Sequence, residues 1–142
     1  MLCKRILLVD DNAVVREMVR EIIEENPAWK ICGEGANGRV GVELARKLRP
    51  DIVVLDYLMP SMNGLQAAER IKRFAPRARI LMFTSDTSPK LVRQAHDCGV
   101  QTVIWKNGSG YLQLLTCIQQ GEHVRAAASP GKKRSQKRCG RN

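Results

Sequence analysis

Two hydrophobic periods alternate along the chain. "RILLVD" (Arg5 to Asp10) is a continuous apolar run of strand length, and after it Val14, Val15, Met18, Val19, Ile22 and Ile23 recur at helical spacing. Asn12 is placed to cap that helix and Pro27 to stop it. "WKICGEG" reads as a second strand and Asn37-Gly38 as a turn, followed by a helical stripe of Val40, Val42, Leu44, Ala45 and Leu48, weakened by Gly41. "DIVVLD" is a third strand. Gly64 to Ala75 follows as a helix with Leu65, Ala68 and Ile71 inward, then "RILMFTS" as a fourth strand. Pro89 opens a helix that runs to Cys98 and stops at Gly99, "VQTVIW" is a fifth strand, and Tyr111, Leu114, Leu115 and Ile118 form a last helical stripe.

Five strands alternating with five helices, the strands apolar without a polar face, predict an α/β fold whose sheet is parallel and covered on both faces. Right-handed crossovers then favour a doubly wound open sheet. Ligands of such sheets sit beyond the carboxyl ends of the strands, near the point where strand order reverses. The search for chemistry therefore narrows to those ends.

Composition supports the same picture. A chain of 142 residues suits one domain, and 44% hydrophobic with 27% charged residues suits an aliphatic core. Apolar runs such as Ile6 to Val9 are far too short to span a membrane, and no secretory signal pattern opens the chain, so a cytoplasmic location is expected. Five scattered cysteines (Cys3, Cys32, Cys98, Cys117, Cys139) without a CxxC pair suggest reduced thiols rather than a disulfide or zinc framework. The net charge of +10 is unevenly spread: seven Lys and Arg and no acid lie between Arg125 and Asn142, leaving the rest at +3. That segment, rich in Lys, Arg, Ser, Gly and Ala, has too little apolar surface to fold, so residues 122–142 are expected to be a basic, disordered tail or remnant linker.

The strand ends are acidic. The first run ends in Asp10-Asp11, the third in Asp56, the fourth in Thr84-Ser85, and Lys106 follows the fifth. Carboxylates about 4 Å apart repel by on the order of 4 kcal/mol per pair at an effective dielectric of about 20. A divalent cation and a lysine remove that penalty, and hard oxygen ligands with room for water and a phosphate oxygen are what Mg²⁺ takes. GxxxxGK[ST] does not occur, so a nucleotide site of that kind is not supported. His96 and His123 read as surface residues.

Taken together, Asp10-Asp11, Asp56 with "DYLMPSMNG" after it, Thr84 and Lys106 resemble the receiver domain of two-component response regulators. Four strand ends match in order, Met59, Pro60, Asn63 and Gly64 match between them, and the likeness covers about residues 4–121, so residues 1–121 are read as a receiver domain. The resemblance implies a flavodoxin-like sheet of order 2-1-3-4-5 and a phosphoacceptor role for Asp56, served by a sensor histidine kinase. It also implies Mg²⁺ held by Asp11, Asp56 and the backbone carbonyl of Leu58, with Asp10 acting through water, and Thr84 and Lys106 as phosphoryl contacts. The protein would then be a substrate and switch, assisting its own phosphotransfer and dephosphorylation, rather than a turnover enzyme. Phosphorylation would alter the surface near the fourth helix and fifth strand, and a homodimer is a further expectation.

Two departures from the family pattern stand out. The aromatic that commonly sits three residues before the lysine is Val103 here, and Trp105 is expected to turn to another face of its strand. The "LMPSMNGLQA" and "KNGSG" stretches resemble receivers that precede a helix-turn-helix output domain, yet only roughly 20 polar residues follow Gly121 where such a module needs about 60. DNA is therefore a partner only through an output domain outside this chain or through the basic tail. The competing reading is a nucleic-acid or acidic-partner binding protein on a receiver scaffold, with affinity in the tail and Asp56 vestigial.

Overall fold

The computed structural model describes residues 3–120. Strand and helix alternate as β1 (Lys4–Val9), α1 (Ala13–Glu24), β2 (Trp29–Gly35), α2 (Gly38–Leu48), β3 (Ile52–Leu55), α3 (Gly64–Phe74), β4 (Arg79–Thr84), α4 (Pro89–Asp97) and β5 (Thr102–Trp105). A fifth helix, α5, covers 108–120. All strand pairs are parallel and the order is β2-β1-β3-β4-β5, the flavodoxin-like order expected.

Both faces of the sheet are covered, which is why the strands show no polar alternation. On one side Val19 and Ile23 of α1 and Leu114 and Ile118 of α5 pack on Ile6, Leu8, Ile52, Val54, Leu81, Phe83 and Ile104. Phe83 and Tyr111 meet edge to face there at 5.1 Å. On the other side α2, α3 and α4 contribute mainly small residues, Ala45, Ala67, Ala68 and Ala95, with Ile71 and Leu91, against Leu7, Val9, Val53, Leu55, Ile80 and Met82. Each fully buried aliphatic side chain of this kind contributes about 1.5–3 kcal/mol.

Four helix starts are capped by side chains: Asn12, Asn37, Asn63 and Ser88 each accept a backbone N–H from the first turn, and Asn63 forms a reciprocal capping box with Gln66. Such caps are worth about 1 kcal/mol each. Asn37-Gly38 is thus the cap and first residue of α2 rather than a separate turn. In β2 the pairing with β1 shifts between Ile6 and Leu7, so that Cys32 is an extra residue, a β-bulge, between Ile31 and Gly33.

The apolar stripes are narrower than their spacing suggests. Val14, Met18 and Val40 lie on the exposed side of α1 and α2, and Leu65 is only half-buried while Ala67 is fully so. Trp105 also differs from expectation. Two residues beyond Val103, it returns to the same side of β5 by the period of the pleat, at an open end of the strand where it is exposed. Cys3, Cys32, Cys98 and Cys117 are free thiols, and His96 is exposed on α4. Among the described residues no helix is long and apolar enough to cross a membrane. The expected tail, with His123 and Cys139, lies outside the described residues.

Candidate functional site

Asp10 and Asp56 follow directly on adjacent central strands, β1 and β3, and their backbones are fixed by continuing the ladder. Asp10 N–H donates to the Gly35 carbonyl at 3.0 Å and Asp56 N–H to the Val9 carbonyl at 2.9 Å. Both side chains are buried, at 6% and 7% exposure, whereas Asp11 next to them is exposed. Asp10, Asp11 and Asp56 each offer a carboxylate oxygen, and these oxygens lie within 4.8 Å of one another. This is the crowding of like charge that the strand-end pattern led one to expect.

Lys106, just past β5, reaches across to neutralise it. Its Nζ lies 2.8 Å from Asp10 Oδ2 and 3.2 Å from Asp56 Oδ2. The other oxygen of each carboxylate accepts a backbone N–H: Asn12 N–H to Asp10 Oδ1 at 2.9 Å and Tyr57 N–H to Asp56 Oδ1 at 2.7 Å. Burial, and after it the adjacent Asp10 carboxylate, push the Asp56 carboxyl above its ordinary pKa, against the pull of Lys106 and the Tyr57 N–H. Burial also acts to lower the Lys106 pKa, but its hydrogen bonds and charge attraction to Asp10 and Asp56 together outweigh it, and the ammonium is held above its usual value. Lys106 is therefore charged, and Asp56 is an unusually basic carboxylate.

Thr84 is the last residue of β4 and is buried; its hydroxyl accepts the Asp86 N–H at 3.4 Å, and its carbonyl accepts the Lys106 N–H at 2.8 Å. Thr84 and Lys106 thus stand side by side, one at the end of β4 and the other just past β5. Leu58 lies two residues past Asp56 in the turn to α3, its side chain exposed. That turn closes tightly: Gly64 N–H donates to the Tyr57 carbonyl at 2.7 Å, and a Cβ on Gly64 would come within 2.2 Å of the Asp56 carbonyl oxygen. No residue larger than glycine fits without moving the strand end that carries Asp56.

One supporting group has no counterpart in the sequence reading. Arg16 of α1 donates from its guanidinium to the Asp10 carbonyl at 2.6 Å and from Nε to Glu34 at 3.1 Å, while Arg20 pairs with the same Glu34 carboxylate. The group ties α1, the end of β1 and edge strand β2 together directly behind the acidic turn.

A family model described as the response regulator receiver domain matches residues 6–118. The chemotaxis protein CheY of Thermotoga maritima is 38% identical over 103 residues, 72% of this chain and 85% of that protein. The response regulator protein VraR of Staphylococcus aureus is 35% identical over 105 residues, 74% of this chain but 50% of its own length. Among solved structures, the CheX–CheY–BeF3–Mg complex from Borrelia burgdorferi contains a chain that superposes with a TM-score of 0.76 at 25% identity, over 83% of this chain and 89% of that one.

Proposed function

Since the chain belongs to the response regulator receiver domain family, the phosphoacceptor modules of two-component signalling, we propose that Asp56 is the acceptor, Thr84 and Lys106 the phosphoryl contacts, and a sensor histidine kinase the donor. The observation that carries this assignment is the position of Lys106 Nζ between the buried carboxylates of Asp10 and Asp56. An oxygen of Asp56 attacks phosphorus, the bond from phosphorus to the donor's imidazole nitrogen breaks, and that nitrogen takes a proton from solvent. The raised basicity of Asp56 favours the attack. Lys106 is placed to exchange its contact with Asp56 for one with a phosphoryl oxygen, and the Thr84 hydroxyl to donate to another, so that charge developing on the transferring group meets fixed donors.

The donor set fits Mg²⁺: three carboxylates with oxygens within 4.8 Å of one another, one of them exposed to water. Asp11, Asp56 and the Leu58 carbonyl would hold it, with Asp10 acting through water. When bound, the ion supplies the positive charge that lets the acidic cluster accept a further anion. Because Thr84 leads into the loop before α4 and Lys106 directly follows β5, a phosphoryl group drawing on both would alter the α4 and β5 surface. Incubation of the protein with acetyl phosphate and Mg²⁺ tests the assignment. Intact mass should rise by one phosphoryl group in the wild type and not in Asp56→Asn; a rise in the variant would place the acceptor elsewhere.

A further inference from the structure

The amino ends of the strands form a second charged region, remote from the acidic site. A cavity of about 570 Å³ opens there between the loops that lead into β3 and β4. Its lining includes Lys4, Arg49, Arg77 and Arg79 against a single carboxylate, Asp51. Nearby cations at the carboxyl ends of helices, Arg46 and Lys47 in α2 and Lys72 and Arg73 in α3, have a local reason to be there, since they complement the helix dipoles. Arg49 is itself the cap residue at the end of α2, whereas Arg77 lies two residues beyond the cap of α3, in the loop to β4. Arg49 is exposed and its guanidinium makes one long bond, 3.3 Å, to the Phe74 carbonyl; Arg77 is exposed and has no hydrogen bond or ion pair among the described residues.

The last described turn of α5 lies at this same end. Arg79, the first residue of β4, donates to the Cys117 carbonyl at 2.6 Å and the Ile118 carbonyl at 3.3 Å, which seats the last turn of α5 beside the cavity. The sequence that continues from there carries seven Lys and Arg and no acid between 125 and 142.

We propose that the amino end of the sheet is a sequence-independent binding surface for the phosphate backbone of nucleic acid, with Arg49 and Arg77 as its main contacts in the folded domain. The chemistry favours a polyphosphate chain. Exposed guanidinium groups pair with phosphate oxygens at little desolvation cost, and an extended array of cations gains affinity by releasing the counterions of a densely charged polymer. A lipid surface would need large apolar side chains to insert, but in the apolar lining Pro50, Ile52, Ala75 and Ala78 are buried and Pro76 alone is exposed. An acidic protein would need an aromatic or aliphatic anchor, and the cavity lining includes no aromatic residue. β1 runs the whole height of the sheet from Lys4 to Val9, about 17 Å at roughly 3.3 Å per residue, so this surface and the acidic site lie at opposite ends of the strands.

Fluorescence anisotropy of the full chain with a labelled DNA duplex of arbitrary sequence tests this. Wild-type affinity should fall steeply between about 50 and 200 mM salt, and Arg49→Gln/Arg77→Gln should bind about tenfold more weakly at the lower salt, with a log–log salt slope shallower by about 2. The double variant should keep the wild-type Tm and its labelling by acetyl phosphate, which separates loss of contact from loss of fold. Absence of wild-type binding at the lower salt overturns the proposal. So does wild-type affinity in the double variant combined with loss of binding in Lys132→Gln/Lys133→Gln/Arg134→Gln, which would put the whole effect in the tail. Competition by polyglutamate as effective as by DNA, at equal charge, would show an unselective patch and overturn it as well.

Discussion

At the carboxyl end of the strands, three carboxylates and one lysine are crowded within a few ångströms, Asp10 and Asp56 buried; at the amino end, Lys4, Arg49, Arg77 and Arg79 stand around an open cavity with Arg49 and Arg77 exposed. Charge of one sign is concentrated at both, but the surroundings differ. Buried charges interact through a medium of low effective dielectric, so their repulsion shifts pKa values and requires a specific partner. Exposed charges are screened over about 8–10 Å at ordinary salt. The first arrangement makes a reactive group, and the second makes a field.

That contrast can be broken at either end. The largest effect is expected from Lys106→Met, which leaves Asp10 and Asp56 facing each other without their shared counter-ion. Phosphorylation by acetyl phosphate should slow by on the order of 10²-fold, while Arg77→Gln changes the rate less than about twofold. Comparable slowing by both, followed by intact mass over time, would mean that the two ends are not independent. A smaller effect is expected from Asp11→Asn, an exposed member of the acidic cluster: Mg²⁺ binding, measured by titration calorimetry, should weaken by on the order of tenfold with the Tm unchanged. Mg²⁺ bound as tightly as by the wild type would remove Asp11 from the ligand set.

The dielectric argument also has a pH signature. A carboxyl whose pKa is raised by folding holds its proton more tightly in the native state, so stability falls as pH climbs from the ordinary value of 3.8 through the raised native one. Asp56→Asn removes that loss. Its Tm should exceed the wild type's at about pH 7, with the difference shrinking on acidification toward about pH 4. A difference that is constant across this range would show that burial of Asp56 costs nothing. The smallest effect concerns how far the acidic end reaches along β5. Val103 is half-buried and lacks an aromatic's area, so beryllofluoride, standing in for the phosphoryl group, should shift amide signals strongly around Thr84 and weakly around Val103. Large and equal shifts across both would show that the aromatic is dispensable for transmission.

The acidic end was legible in the sequence because its residues punctuate aliphatic runs: an apolar strand that stops at Asp10-Asp11, Asp56 or Thr84 marks a strand end by itself, and a parallel sheet gathers those ends. Strand order followed from the family resemblance and the exposed stripes did not follow from spacing alone. Val14, Met18 and Val40 have core-like period, but their helices pack through a narrower face. Arg16 and Glu34 gave no signal, being separated by 18 positions, one on a helix and one on an edge strand, each looking like a solvated charge. The basic end was hidden for a similar reason. Lys4, Arg49, Arg77 and Arg79 are dispersed along the chain, and only the register of β1, β3 and β4 makes them neighbours.

The bulge in β2 bears on which changes of length this fold tolerates. Cys32 pairs with no residue of β1, while Gly33, Glu34 and Gly35 lie opposite Leu7, Leu8 and Val9. Loss of Cys32 would straighten the strand and leave those pairings, the Glu34 position facing Arg16 and Arg20, and the Gly35 carbonyl that receives Asp10 as they are. Loss of Gly33 would instead put the Cys32 side chain where a Cβ lies 2.8 Å from Leu48, and an inserted residue beyond it would turn Glu34 away from its arginines. Removal of residue 32 is thus the change of length in β2 expected to leave the turn that carries the acidic pair undisturbed.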